Sequence, residues 1–190
     1  MRPIFLAIPV TFLALSACRE EAAAPLQPER ISLEDARHIA ENPLASPNVD
    51  GATWSVSPNG QAIHYAKTGE APFLTLECNL RATPPQLHVI RHVTARPGEK
   101  ALFPVIGNGM ISRFKLDATL ADGEWRWEGA EPAADPQLDV FTGARELEAT
   151  LPGGGTLAIA GSRIPGEFVR WCRAGGRVQQ AEAAEQKPEG

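Results

Sequence analysis

Between residues 53 and 160 apolar and polar positions alternate in short runs, and turn-forming residues separate the runs. Pro58-Asn59-Gly60 divides Thr53 to Ser57 from Gln61 to Lys67. Asn108-Gly109 divides Leu102 to Gly107 from Met110 to Leu120, and Asp122-Gly123 divides that run from Glu124 to Glu128. Asn-Gly and Asp-Gly accept the positive φ angles of tight hairpin turns, so each pair of runs predicts a hairpin and together they predict a meander. The longest run shows the period most plainly: Phe114, Leu116, Ala118 and Leu120 fall on one side, Arg113, Lys115, Asp117 and Thr119 on the other. Phe73 to Leu80, Leu87 to Thr94, Leu138 to Thr142, Thr156 to Ala160 and Phe168 to Trp171 are further strand candidates. Ala144 to Leu151 reads equally as a short helix, and Phe168 to Trp171, after Pro165-Gly166, also as a helical turn. The pattern predicts a mainly β chain with one or two short helices, folded as a small antiparallel β-sandwich or open barrel built from hairpins.

The ends read differently. Ser32 is followed three residues later by Asp35, and Leu33, Ala36 and Ala40 share a helical face until Asn42-Pro43 stops it. A helix over Ser32 to Glu41 is too short to be stable alone in water, so it is expected to pack on the domain. Arg19 to Arg30 has no amphipathic period and carries Pro25 and Pro28, as a tether does. Ala174 to Gly190 has Val178 as its one large apolar residue and reads as a disordered, solvated tail. At the start, Arg2 and the apolar run Ile4 to Leu15 lead into Leu15-Ser16-Ala17-Cys18, a secretory signal pattern too short to span a bilayer. No other apolar stretch approaches the ~20 residues of a transmembrane helix.

Leu15-Ser16-Ala17-Cys18 resembles the lipobox of bacterial lipoproteins. The resemblance implies a diacylglyceryl thioether on Cys18, cleavage after Ala17 and acylation of the new amino terminus. Arg19 stands where an aspartate commonly retains such proteins in the inner membrane, which implies the outer membrane of a Gram-negative cell, facing the periplasm. Each buried methylene adds about 0.8 kcal/mol and one chain anchors only marginally, so several acyl chains are needed to hold the protein on a leaflet. The resulting layout is a signal peptide over 1–17, a lipidated tether over 18–30, one β-rich domain over 31–173 and a tail over 174–190. That layout, with Ser32-Leu33-Glu34-Asp35-Ala36, Ile106-Gly107-Asn108-Gly109, Trp125-Arg126-Trp127-Glu128-Gly129 and Phe168-Val169-Arg170-Trp171-Cys172-Arg173, is similar to small uncharacterised envelope lipoproteins. The similarity implies an anchor joined to a small domain and carries over no activity.

Beyond Cys18 the chain has two cysteines, Cys78 and Cys172. In an oxidising compartment they most simply form a bridge, the alternative being two separate buried thiols. Closing a loop of roughly 95 residues removes about 4.6 kcal/mol of unfolded-state freedom in the chain-entropy model. Apolar residues make up 43% of the chain, enough for one core. The net charge of -5 becomes -6 when Arg2 leaves with the signal, which argues against a nucleic-acid partner.

Candidate chemistry is sparse. The chain holds no Gly-x-Ser-x-Gly, no phosphate loop and no His-Glu-x-x-His. Gly107-Asn108-Gly109 lacks the third glycine of a dinucleotide loop, and a hairpin accounts for it. His88 and His92 would share a helical face, but Pro84-Pro85, Pro97 and the β-branched Val89, Ile90, Val93 and Thr94 argue for a strand. Four strand residues span ~13 Å, too far for two imidazoles to share one ion. The expectation is two surface histidines on a polar strand face, with no metal and no cofactor; His38 and His64 stand singly. Glu124, Glu128, Glu131, Asp135 and Asp139 are close in sequence, and only their spacing in space decides whether a pair does acid and base work. Trp125 and Trp127 point to one side of a strand, with Glu124, Arg126 and Glu128 on the other. Turned out, the indoles form a platform for a sugar ring or an apolar partner; turned in, as their charged neighbours favour, they are core. These residues support a lipid-anchored, non-catalytic envelope module that binds another envelope protein or the cell wall; the alternative is a small periplasmic hydrolase with dispersed catalytic residues.

Overall fold

The computed structural model describes residues 44–177. The signal peptide, Cys18, the tether, the helix expected over Ser32 to Glu41 with His38, and the tail beyond Arg177 lie outside the described residues. The strands are β1 (Thr53–Val56), β2 (Ala62–Ala66), β3 (Leu74–Asn79), β4 (Gln86–Arg91), β5 (Lys100–Gly107), β6 (Met110–Ala121), β7 (Glu124–Pro132), β8 (Leu147–Leu151) and β9 (Gly155–Ile159). A 3₁₀ helix, Pro136–Phe141, precedes β8, and helix α1, Ile164–Arg173, follows β9.

All nine strands join one sheet in the order β1-β2-β3-β4-β7-β6-β5-β8-β9, antiparallel throughout. The sheet curls into a half-barrel, so of the two architectures expected the open barrel is the one formed. The hairpin turns have the anticipated backbone: φ is 51° and 79° at Asn108 and Gly109, and 54° and 86° at Asp122 and Gly123. The topology is not a simple meander, because β7 turns back to pair with β4 and sets β5-β6-β7 between β4 and β8. The curl brings distant residues together. Ala160 after β9 donates its N–H to the Tyr65 hydroxyl of β2 at 3.0 Å, and Leu44 donates to the Gly153 carbonyl at 2.9 Å.

The inner face holds the core. Ile63, Leu74, Leu76, Leu87, Val89, Phe103, Val105, Phe114 and Leu116 alternate inward along their strands and meet Leu138, Val140, Phe141, Phe168 and Val169 from the two helices. Leu138 to Thr142 is therefore not a strand. Asp135 accepts a hydrogen bond from the Gln137 N–H at 2.8 Å and Pro136 supplies a preset φ, so the segment begins as a helical turn. Phe168 to Trp171 is likewise helical. Pro165 and Glu167 stand in the first turn of α1 and Arg170 and Arg173 in its last, which suits the helix dipole. Phe168, Val169 and Cys172 form its buried side. Ala144 to Leu151 resolves as strand from Leu147 onward. The Cys78–Cys172 disulfide ties α1 to β3.

β6 and β7 pair only from Asp117–Ala121 against Glu124–Glu128. Beyond that ladder β7 continues along β4 and β6 continues along β5, so the sheet splits between them. At the apex of the split β7 has Gly129, where a Cβ would run into the Lys115 carbonyl oxygen. Only glycine lets the two strands approach so closely there.

Candidate functional site on the outer face

Polar chemistry collects on the outer face of β2, β3, β4 and β7. Cross-strand register places His64 of β2 opposite Thr75 of β3, Thr75 opposite Ile90 of β4, and Ile90 opposite Glu128 of β7. Two hydrogen-bonded groups occupy this seam. In the first, the Thr75 hydroxyl lies 2.9 Å from His64 Nδ1 and 2.8 Å from His92 Nε2. A hydroxyl has one proton, so it donates to at most one imidazole and accepts from at least the other. Burial, reinforced by the nearby Arg126 cation, pushes His92 down to about 4, so that ring is neutral at pH 7. In the second, Glu128 meets His88 Nδ1 at 2.7 Å and Arg126 at 3.0 Å. The hydrogen bond to Glu128 raises the pKa of His88 against the opposing effect of burial, and the same contact, with Arg126, holds the Glu128 carboxyl low.

Both histidines of β4 and its continuation thus face the polar side as expected, but neither is a free surface group. Each is half-buried and engaged with a different partner. Among the described residues no three His, Cys, Asp or Glu side chains are grouped to hold a metal ion. Of the carboxylates close in sequence, Glu128 and Glu131 reach a common groove. Asp139 pairs instead with Arg173 at 2.7 Å, and the Asp135 side chain caps the 3₁₀ helix.

The tryptophans turn inward. Trp127 is 6% exposed and Trp125 is half-buried against the same core, so no outward aromatic platform forms at this strand. Arg91, on the same inward row, was not anticipated. It is 2% exposed, donates from Nη1 to the Phe73 carbonyl at 2.8 Å, and burial lowers its pKa to about 10. Its parity with Leu87 and Val89 was the available signal.

The split between β6 and β7 opens outward as a groove of about 570 Å³. Arg113, Lys115, Asp117 and Thr119 form one wall, and His88, Glu128, Ala130 and Glu131 the other. The Gln137 amide oxygen reaches across from the 3₁₀ helix and accepts the Arg113 N–H at 3.1 Å, capping an unpaired strand edge. Burial and the neighbouring Asp135 raise the Glu131 carboxyl pKa, with Lys115 opposing. A second depression of about 390 Å³ adjoins His64, between Thr53, Ser55 and Lys67 to Glu70. The seam runs between the two. The groove is open, lined by donors and acceptors of both charges, and suited to a polar ligand held by several weak contacts. Within the seam the Thr75 hydroxyl is closed off at 3% exposure, whereas His88 and Glu128 line the groove and His64 lines the second depression. No family model, no curated sequence and no solved structure matches the chain.

Proposed function

We propose that this chain is a lipid-anchored envelope protein that works by binding, with the groove between β6 and β7 as its ligand site. The address rests on Leu15-Ser16-Ala17-Cys18 and accords with the Cys78–Cys172 disulfide, a bond characteristic of oxidising compartments. The role rests on one contrast. The hydroxyl best placed for activation, Thr75 between two imidazoles, is buried, whereas the groove beside it is open and polar. A hydrolase needs its nucleophile within reach of substrate; a binding module needs only the groove.

Two experiments test the two halves of this reading. The native protein should partition into detergent and take up labelled lipid precursor, and Cys18→Ala should do neither. Native protein that stays aqueous and unlabelled removes the anchor. For the groove, a photo-crosslinking residue in place of Ala130 should capture a partner in intact envelopes, while the same residue in place of Ser55 should not. Equal capture at both positions, or esterase turnover lost in Thr75→Val, overturns the binding role.

A further inference from the structure

Beside the groove, the outer face of the β5–β6 hairpin carries a second pattern. Leu102, Pro104 and Ile106 alternate with the buried Phe103 and Val105 along β5, while Ile111, Arg113 and Lys115 alternate with Ser112, Phe114 and Leu116 along β6. The register sets Leu102 opposite Lys115, Pro104 opposite Arg113 and Ile106 opposite Ile111. The result is an aliphatic column beside a column that begins with an isoleucine and continues with two cations. Leu102, Ile106 and Ile111 are 47%, 46% and 56% exposed, three of the six exposed large aliphatic side chains among the described residues. Among those residues neither Arg113 nor Lys115 forms an ion pair.

We propose that this face of the hairpin rests on an anionic phospholipid surface, its isoleucines and leucine at the headgroup boundary and Arg113 and Lys115 over the lipid phosphates. The charges select the occupant. A second copy laid column on like column would bring cations toward cations and Glu148 of β8, beside Ile106, toward its counterpart, whereas a lipid leaflet offers anionic headgroups to Arg113 and Lys115 and an apolar layer to the aliphatics at once. Three half-exposed aliphatics are too few to hold a free protein on a membrane. They suffice when an anchor makes the contact intramolecular, so the proposal rests on the lipid anchor proposed above. Leu44 is 26 positions beyond Cys18, and such a segment reaches at most ~90 Å when extended, ample for either face to meet the leaflet. The stripe decides which one does. The groove then opens along the edge of the contact, toward partners that lie close to the membrane.

The test uses the full-length lipoprotein purified from its host membrane and reconstituted in vesicles containing phosphatidylglycerol, with brominated lipids as quenchers. Ile111→Trp should show quenching beyond that of the parent chain. Ser55→Trp, on β1, should show none, and Arg113→Glu with Lys115→Glu in the Ile111→Trp background should abolish the difference. Replacing phosphatidylglycerol by phosphatidylcholine should reduce it severalfold. Protein that floats with the vesicles but quenches equally at positions 111 and 55 overturns the stripe and leaves the anchor standing. Protein that doubles in size and protects Ile111→Trp from quenching assigns the face to a second copy and overturns the lipid contact. Protein that does not float removes the anchor, and this proposal with it.

Discussion

On β7 the neighbours Trp127 and Glu128 lie in opposite environments. Trp127 is packed among aromatic and aliphatic side chains inside the half-barrel, while Glu128 on the outer face is held by one histidine and one arginine. The inner face draws on apolar area that water cannot reach. The outer face draws on hydrogen bonds and charges that remain partly solvated. Stability should therefore reside inside and pH sensitivity outside.

The sharpest way to break that division is Trp127→Ala. Removing a buried indole should cost on the order of 3 to 5 kcal/mol in denaturant unfolding; a loss within about 0.5 kcal/mol, typical of surface changes, would put the tryptophan outside the core. Next in size is the bridge. Reduction, or Cys78→Ser, should lower stability by roughly 2 to 4 kcal/mol, and mass measurement without reductant should show no free thiol at Cys78 or Cys172.

The outer face should show smaller effects with a definite sign. His92 takes up a proton at its ordinary 6.5 when unfolded but only near 4 when folded. The unfolded state binds more protons across that interval, so stability falls as pH drops from 6.5 toward 4. The loss should reach at most about 2 kcal/mol, since partial hydration of the ring screens it, and His92→Asn should flatten the profile. Glu128, held low, adds a further loss below its ordinary 4.5 as pH falls through its folded value. His88, held high, contributes stability that is full below 6.5 and disappears as pH rises through its folded value. Glu128→Gln should therefore cost less than about 1 kcal/mol near neutrality and return the His88 titration, followed by NMR, toward its ordinary value. An unchanged His88 titration would separate the two side chains.

The sheet was legible where a local signal existed. Asn108-Gly109 and Asp122-Gly123 marked their hairpins because few other dipeptides tolerate that backbone, and the alternation along Arg113 to Leu120 marked which side is inward. All four apolar residues share that side in the structure, where Phe114 and Leu116 are buried and Leu120, near the end of the strand, is exposed. Helix α1 was left open between strand and helical turn because Phe168, Val169 and Trp171 favour strands, and packing against β4 and the 3₁₀ helix decided for the helix. The cap at Asp135-Pro136 was present in the sequence, but Leu138 to Thr142 was read by its apolar character. The outer seam was not legible at all. His88 and Glu128 lie forty residues apart, and Thr75 joins His64 of β2 to His92 just past β4, so register and the β4–β7 pairing had to be known first.

The disulfide has a further consequence for how the molecule would fare among proteases. Its two cysteines are 94 positions apart, and β4 through β9 all lie between them. A single cut in any loop of that span yields two chain segments that remain one covalent molecule, with α1 still fastened to β3. Such a nick shows as fragments only after reduction. The bridge thus guards against one cut in this span, since a second would free the segment between the two.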